Sequence, residues 1–365
     1  MKIALVCPYD FSRPGGVKSH IVSLGKYLTI SGHQVSIIAP NINAEKVTEK
    51  NVHFFGSNRS LNLGGTKIDI NIALGSEKRV LRKFLKEEKF DVIHYHTIWN
   101  PLLPFQIRSL SKARHVATFH DTPSNSFIGR WIMPLVARWV FTLLDEIISV
   151  SETQAAYISR FSKRDIHIIP NGIDLDEIAR IVSNYSARSD DYIQFLFLGR
   201  LEPRKGAMHA LQAFRRTKER YPKTKLVIAG DGDGRKQIED YILNHNLEDV
   251  ELLGFVSEEK KYLLLKESDL YLAPALYGES FGIVLLESMA AGTAMAGYAN
   301  EGYKNVLTEE LLMGFAEPYD STTLVDKIST LMSPEVRKHL VKRGLSEVKK
   351  YDWSILSQQI ITTYK

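Results

Sequence analysis

The run Gly278-Glu279-Ser280-Phe281-Gly282, continued by Ile283-Val-Leu-Leu-Glu287-Ser-Met-Ala-Ala-Gly292, carries the sharpest chemical signal in the chain. Ser280 or Glu279 can start a helix there, and Gly292 can end it. Unpaired N–H groups over residues 280–282 would meet a phosphate at the positive end of that helix. Glu287 falls about two turns in, among apolar neighbours. A carboxylate so placed is costly to desolvate unless it is partnered, and ribose hydroxyls would serve. Glu279, at the loop tip, would face whatever the phosphate carries. A helix cap and one solvent-facing acid is the plainer reading, but the flanking residues leave Glu287 little polar surface.

Cations stand near a second strand end. Gly199-Arg200 closes an apolar run, and Glu202-Pro-Arg-Lys205-Gly206 follows. Two fixed charges, Arg200 and Lys205, suit a diphosphate and would neutralise it as a leaving group. Pro14-Gly15-Gly16-Val17 also joins a strand to a helix, where glycines let backbone N–H groups approach an anion. It could equally be a simple turn.

Other motifs are weaker. Gly230-Asp-Gly-Asp-Gly234 has the spacing Gly-x-Gly-x-Gly rather than Gly-x-Gly-x-x-Gly, so a dinucleotide-binding dehydrogenase is disfavoured against a tight turn. Asp231-x-Asp233 and Asp174-x-Asp176 have the spacing of metal-bridging acids but read better as turn and helix-start residues. His94-x-His96 puts two rings on one strand face, short of the three or four ligands of a metal site. No metal ligand set is assigned.

These residues need strands to carry them. Lys2–Val6 is a near-continuous apolar run, as in a strand buried on both faces of a parallel sheet. Val17, Ile21, Leu24 and Leu28 recur at helical spacing. Strands are expected over residues 34–39, 91–96, 116–119 and 146–150, with a helix near 76–89. The pattern restarts after polar residues 182–191, with strands over 193–198, 225–229, 250–254 and 270–273. This alternation gives an α/β chain with two Rossmann-like, doubly wound parallel-sheet domains facing a central cleft. The expected domains are 1–180, 181–345 and a terminal helix, 346–365, that crosses back to the first.

Composition limits the class. The chain has 365 residues, a net charge of +5, 44% apolar and 24% charged residues. That is globular, and it argues against disordered, collagen-like and disulfide-stapled classes. The single cysteine, Cys7, suits a reducing compartment. The apolar stretch from 127 to 150 is broken by Arg130, Arg138, Asp145 and Glu146, unlike a spanning helix. Neither a secretory leader nor a membrane span is expected.

The pattern around Glu279 and Glu287, with seven residues between them, resembles the signature of retaining glycosyltransferases of family four, which have the GT-B fold. Further matching motifs run almost end to end: Cys7-Pro-Tyr9, Pro14-Gly-Gly-Val-x-Ser-His20, Thr118-Phe-His120, Ile169-Pro-Asn-Gly172, Glu202-Pro-Arg-Lys-Gly206 and Tyr351-Asp-Trp-Ser354. Within the family they are most similar to members that mannosylate phosphatidylinositol. The resemblance implies a nucleotide sugar held mainly by the second domain. Arg200 and Lys205 would hold its diphosphate, with Gly199, Gly230, Ser280, Phe281, Gly282 and Ile283 nearby. Glu287 would hold the ribose and Glu279 the sugar hydroxyls. Val256 and Glu258 would frame the base. Gly15 and Gly16 would approach the donor phosphates. His120 would sit beside the transferred sugar and position the acceptor, and Tyr9, Lys18 and Asn125 would line the acceptor site. Lys18 stands where the pattern has Gln, Asn125 where it has Lys, and Asp121 replaces a small hydroxyl residue.

The implied reaction moves a hexose, best mannose from GDP-mannose, to a lipid-linked acceptor such as phosphatidylinositol. A UDP-sugar transferase acting on another glycolipid or a polyol is the alternative; a sugar-nucleotide epimerase of the same fold and a silent binding module are further ones. No tightly bound cofactor is implied, and Mg2+ could assist the diphosphate. Nucleic acid is not an expected partner, whereas an anionic membrane is. In residues 77–89, Val80, Leu81, Phe84 and Leu85 form a stripe opposite Lys78, Arg79, Arg82, Lys83, Lys86 and Lys89, a pattern suited to headgroups. The expected location is cytoplasmic, peripheral on the inner face of the cell membrane.

Overall fold

The computed structural model describes the chain apart from residues 13–14, 64–65, 99–101, 121–132 and 186–189. It divides into two compact units, Met1–Gly172 with Trp353–Lys365, and Ile173–Asp352. The first change of unit therefore lies before the expected 180/181 boundary. The Leu175–Val182 helix packs on the Glu258–Glu267 and Ile283–Ala291 helices, both of the second unit. Asp174 caps that helix, accepting from the Glu177 N–H at 2.9 Å.

In the first unit, β1 (Lys2–Val6), β2 (Gln34–Asn41), β3 (Val52–Leu63), β4 (Thr66–Ile72), β5 (Val92–His96), β6 (Arg114–Phe119), β7 (Glu146–Ser149) and β8 (Ile166–Ile168) form one sheet. Its order is β4-β3-β2-β1-β5-β6-β7-β8, parallel except for the antiparallel β3/β4 pair. That pair was not anticipated from the sequence. Alternate residues of β1 feed opposite cores, as the strand period of two requires. Ile3 and Leu5 face Ile21, Leu24, Leu28 and the terminal helix Trp353–Thr363. Ala4 and Val6 face Leu81, Leu85, Ile107 and Phe141. The terminal helix docks because Trp353, Leu356 and Ile360 recur on one face and are each 1% exposed. Burying such a side chain is worth about 1.5–3 kcal/mol.

In the second unit, β9 (Ile193–Leu198), β10 (Thr224–Ala229), β11 (Val250–Gly254), β12 (Leu270–Ala273), β13 (Ala294–Tyr298) and β14 (Phe315–Ala316) form an all-parallel sheet. Its order is β11-β10-β9-β12-β13-β14. Strand order reverses between β9 and β12 here, and between β1 and β5 in the first unit. Ligands of doubly wound sheets bind beyond the carboxyl ends of strands at such points.

Candidate active site

In the second unit, two loops meet at that point. Pro203–Lys205 forms a single 3-10 turn after β9, and Gly206 follows it with φ 74°. A Cβ at Gly206 would come within 1.9 Å of the Pro274 carbonyl oxygen, so only glycine allows the post-β9 loop to lie against the post-β12 loop. The Leu276 N–H donates to the Arg204 carbonyl at 2.8 Å and ties the two together. This closure brings Lys205 Nζ within 2.6 Å of Glu279 Oε1 and Arg204 Nη1 within 3.2 Å of the same oxygen. Arg204 and Arg200 both pair with Glu202. The Arg200 side chain is 67% exposed, whereas that of Glu279 is only 12% exposed. Three cations and two acids therefore share one strand-end site. Arg200, Lys205 and Glu279 are legible in the sequence, whereas Arg204, a single residue from Lys205, is not.

The Gly230-x-Gly-x-Gly234 motif serves packing. A Cβ at Gly230 would lie 1.8 Å from the Gly199 carbonyl oxygen, so this glycine lets the post-β10 loop close on the post-β9 loop. The helix after the Glu279 loop begins later than expected. Gly282, in a left-handed conformation at φ 95°, is its N-cap, and the helix runs Ile283–Ala291. Ser280 and Glu279 therefore stay in the loop. Phe281 is buried and packs edge-on against Tyr351, with ring centroids 5.9 Å apart. Gly292 ends the helix at φ 76°, as the sequence implied.

Glu287 is 6% exposed and already has a partner. Lys261 Nζ donates to its Oε1 at 2.6 Å and to Glu258 at 2.7 Å. Burial opposes the Lys261 charge, but Glu287, Tyr262 and Glu258 beside it together outweigh that and hold the ammonium protonated well above the usual lysine range. Oε2 of Glu287 makes no hydrogen bond among the described residues, which leaves an acceptor for a ligand hydroxyl. Lys261 has no role legible in the sequence, because Glu258-Glu-Lys-Lys261 looks like a solvated helix start. Val256 is half-buried and Glu258 exposed.

In the first unit, β1, β5, β6 and their loops gather histidines. His94 and His96 stack with ring centroids 4.5 Å apart. His94 is bound on both nitrogens, by the Tyr364 hydroxyl and by Thr118 Oγ1, each at 2.7 Å. It is thus a held core histidine, and burial lowers its pKa to about 3. His96 Nδ1 lies 3.2 Å from Nε2 of His120. His20 joins them from the Gly16–Ile30 helix, its Nδ1 2.9 Å from Asn171 Oδ1. Trp353 packs edge-on against His20 at 4.7 Å. A Cβ at Gly172 would strike the Trp353 indole at 2.6 Å, so glycine makes room for this ring. Burial lowers the pKa of His120 to about 4, partly opposed by a hydrogen bond with Asn171. His120 is therefore neutral near pH 7. Sequence motifs contained His20, Asn171 and Trp353, but only the fold joins them to His120.

The other expected positions fall as follows. Gly15 is the N-cap and Gly16 the first residue of the Gly16–Ile30 helix. Tyr9 is 39% exposed. Lys18 pairs with Glu49 at 2.7 Å, so its charge is matched. Asn125 and Asp121 lie outside the described residues. The basic helix runs Gly75–Glu88, with Lys89 as its left-handed cap. Leu81 and Leu85 are buried and Phe84 packs beside them, but Val80 is 57% exposed. At about 100° per residue, Val80 falls just beyond the inward stripe, between Phe84 and Glu87. Lys78, Arg79, Arg82, Lys83 and Lys86 are exposed. No helix among the described residues is long and apolar enough to cross a membrane.

Comparisons with known proteins decide the family. Residues 14–177 match the model described as Glycosyltransferase Family 4, and residues 182–346 that of Glycosyl transferases group 1. The whole chain is 31% identical to a phosphatidyl-myo-inositol mannosyltransferase of Propionibacterium freudenreichii, covering 94% of that protein. The chain belongs to the family 4 glycosyltransferases. A relative of the same description from Mycobacterium tuberculosis is also 31% identical, over all of this chain and 97% of its own length. Among solved structures, a glycosyltransferase from Rickettsia africae superposes with a TM-score of 0.80 at 17% identity, covering 100% of this chain and 97% of that one. Sucrose-phosphate synthase from Thermosynechococcus elongatus gives 0.75 at 23% identity, covering 100% and 98%. This glycosyltransferase therefore has the GT-B fold, and its reaction uses a nucleotide sugar.

Proposed function

We propose that this glycosyltransferase passes mannose from GDP-mannose to an inositol phospholipid with retention of configuration. The observation that carries the reading is Glu279 held by Lys205 and Arg204, in a chain whose full-length relatives are described as phosphatidyl-myo-inositol mannosyltransferases. An arriving diphosphate competes with Glu279 for these cations. Once they turn to phosphate, the Glu279 carboxylate is released to accept from sugar hydroxyls, and Oε2 of Glu287 accepts from the ribose.

In the reaction, the bond between the sugar C1 and the phosphate oxygen breaks and a bond from the acceptor oxygen to C1 forms on the same face. The acceptor proton passes to the departing phosphate. No protein base is needed. Arg200, Arg204 and Lys205 stabilise the developing leaving-group charge, and neutral His120 positions the acceptor by hydrogen bonding. Leaving-group stabilisation is assigned to these cations, with Mg2+ at most assisting. The exposed cations of the Gly75–Glu88 helix face anionic headgroups at about 1 kcal/mol each. The enzyme then works as a peripheral protein on the cytoplasmic leaflet.

Thermal melting with GDP, GDP-mannose, UDP and UDP-glucose tests the donor. A ligand at one hundred times its Kd stabilises by about 2.7 kcal/mol. Selective stabilisation by the guanosine compounds is expected; selective stabilisation by the uridine compounds would overturn the donor assignment.

A further inference from the structure

Among the described residues, one group of His, Cys, Asp and Glu is gathered closely enough to hold a metal ion. It comprises His20, His96 and His120, with one ring nitrogen of each within 4.8 Å of one from each of the others. All three are buried, and His120, 8% exposed, is nearest to solvent. Nε2 of His20 and Nε2 of His96 have no hydrogen-bond partner among the described residues. Buried polar atoms are rarely left so, which makes two unpaired nitrogens in one cluster a sign of a missing ligand.

The surroundings prepare the rings for metal. Oδ1 of Asn171 faces Nδ1 of His20 at 2.9 Å, and a carboxamide oxygen only accepts. Nδ1 therefore carries the hydrogen and Nε2 presents a bare lone pair, the arrangement by which an outer partner orients a ligating histidine. Burial keeps the rings neutral, the form that ligates. Imidazole donors select zinc, nickel or copper, whereas Mg2+ and Ca2+ take oxygen donors.

We propose that His20, His96 and His120 form a binding site for a divalent cation of the zinc class, with its fourth position open. An ion held there occupies the His120 ring and stops it from positioning an acceptor, so filling the site blocks transfer. That consequence rests on the function proposed above; the binding does not.

The test is a titration of tag-free, chelator-dialysed protein with ZnSO4, followed by calorimetry. One equivalent is expected, undiminished by millimolar MgCl2. His20→Gln and His96→Gln should each weaken binding at least ~100-fold, and Asn171→Ala by about 10–100-fold, the range for loss of an outer-sphere partner. His245→Gln, at an exposed position, should leave binding unchanged. X-ray absorption of the zinc-loaded wild type should show imidazole nitrogens at about 2.0–2.1 Å, which settles the ligands even where a variant misfolds. Absence of stoichiometric zinc binding, or binding unaltered in both His20→Gln and His96→Gln, would overturn the proposal. The donor assignment fails separately, in the nucleotide melts.

Discussion

The Tyr364 hydroxyl lies 2.7 Å from Nδ1 of His94, 270 residues earlier in the chain. His94 stacks on His96, and His96 Nδ1 lies 3.2 Å from His120 Nε2. At the other end of the same terminal helix, Trp353 packs on His20. Both ends of the last helix thus touch the histidine cluster that contains His120. Tyr364→Phe leaves His94 Nδ1 buried and unpaired, at a cost of about 1–3 kcal/mol. Turnover should fall, by up to ~100-fold if His120 shifts by an ångström, with the donor KM unchanged. Steady-state kinetics separate the two. A rise in donor KM alone would contradict a positioning role.

Lys205 is the cation nearest Glu279. Lys205→Ala removes one stabiliser of the departing diphosphate and should lower kcat at least ~100-fold. Lys205→Arg keeps the charge and should recover part of the loss. Unchanged turnover in the alanine variant would show that the leaving group is stabilised elsewhere.

Lys261 is bound to stability as well as to the site. Lys261→Met strands the Glu287 carboxylate in a buried setting and should cost about 3–5 kcal/mol. Adding Glu287→Gln removes the stranded charge, so the double variant should regain most of that loss. Urea unfolding followed by far-ultraviolet circular dichroism checks this. Equal destabilisation in both would mean that the pair is not energetically coupled.

The buried histidines make the first unit sensitive to acid. Burial lowers the pKa of His94 to about 3 and those of His115 and His120 to about 4, against about 6.5 in an unfolded chain. Between those limits the unfolded state binds more protons, so stability rises with pH and is lost as pH falls. Each such histidine costs up to about 1.4 kcal/mol per pH unit below about 6.5. All four tryptophans lie in the first unit, so their fluorescence reports its unfolding. Its urea midpoint should drop between pH 6.5 and 5, above the range where carboxylates titrate. A midpoint flat over that window would contradict neutral buried histidines.

Much of this was legible in the sequence because buried parallel strands are short apolar runs and their loops hold the charged residues. β1, β5, β9 and β12, and with them Arg200, Lys205 and Glu279, could be placed from local pattern alone. The β3/β4 pair was missed because residues 57–71 are mostly polar, without the apolar run that marked the other strands. Met295-Ala-Gly-Tyr298 belongs to strand β13. A Cβ at Gly297 would lie 2.1 Å from the Ala273 carbonyl oxygen, so close strand packing explains this glycine. Partnerships such as Tyr364 with His94 or Lys261 with Glu287 leave no periodic trace, because they depend on which elements the fold brings together.

The most direct measurement is transfer itself. The enzyme would be incubated with phosphatidylinositol vesicles and radiolabelled GDP-mannose or UDP-glucose, and the organic phase counted. Label from GDP-mannose should enter the lipid as an α-mannoside, the anomer of the donor, with little from UDP-glucose. Lipid labelling from UDP-glucose alone, or a β-linked product, would contradict the proposed reaction.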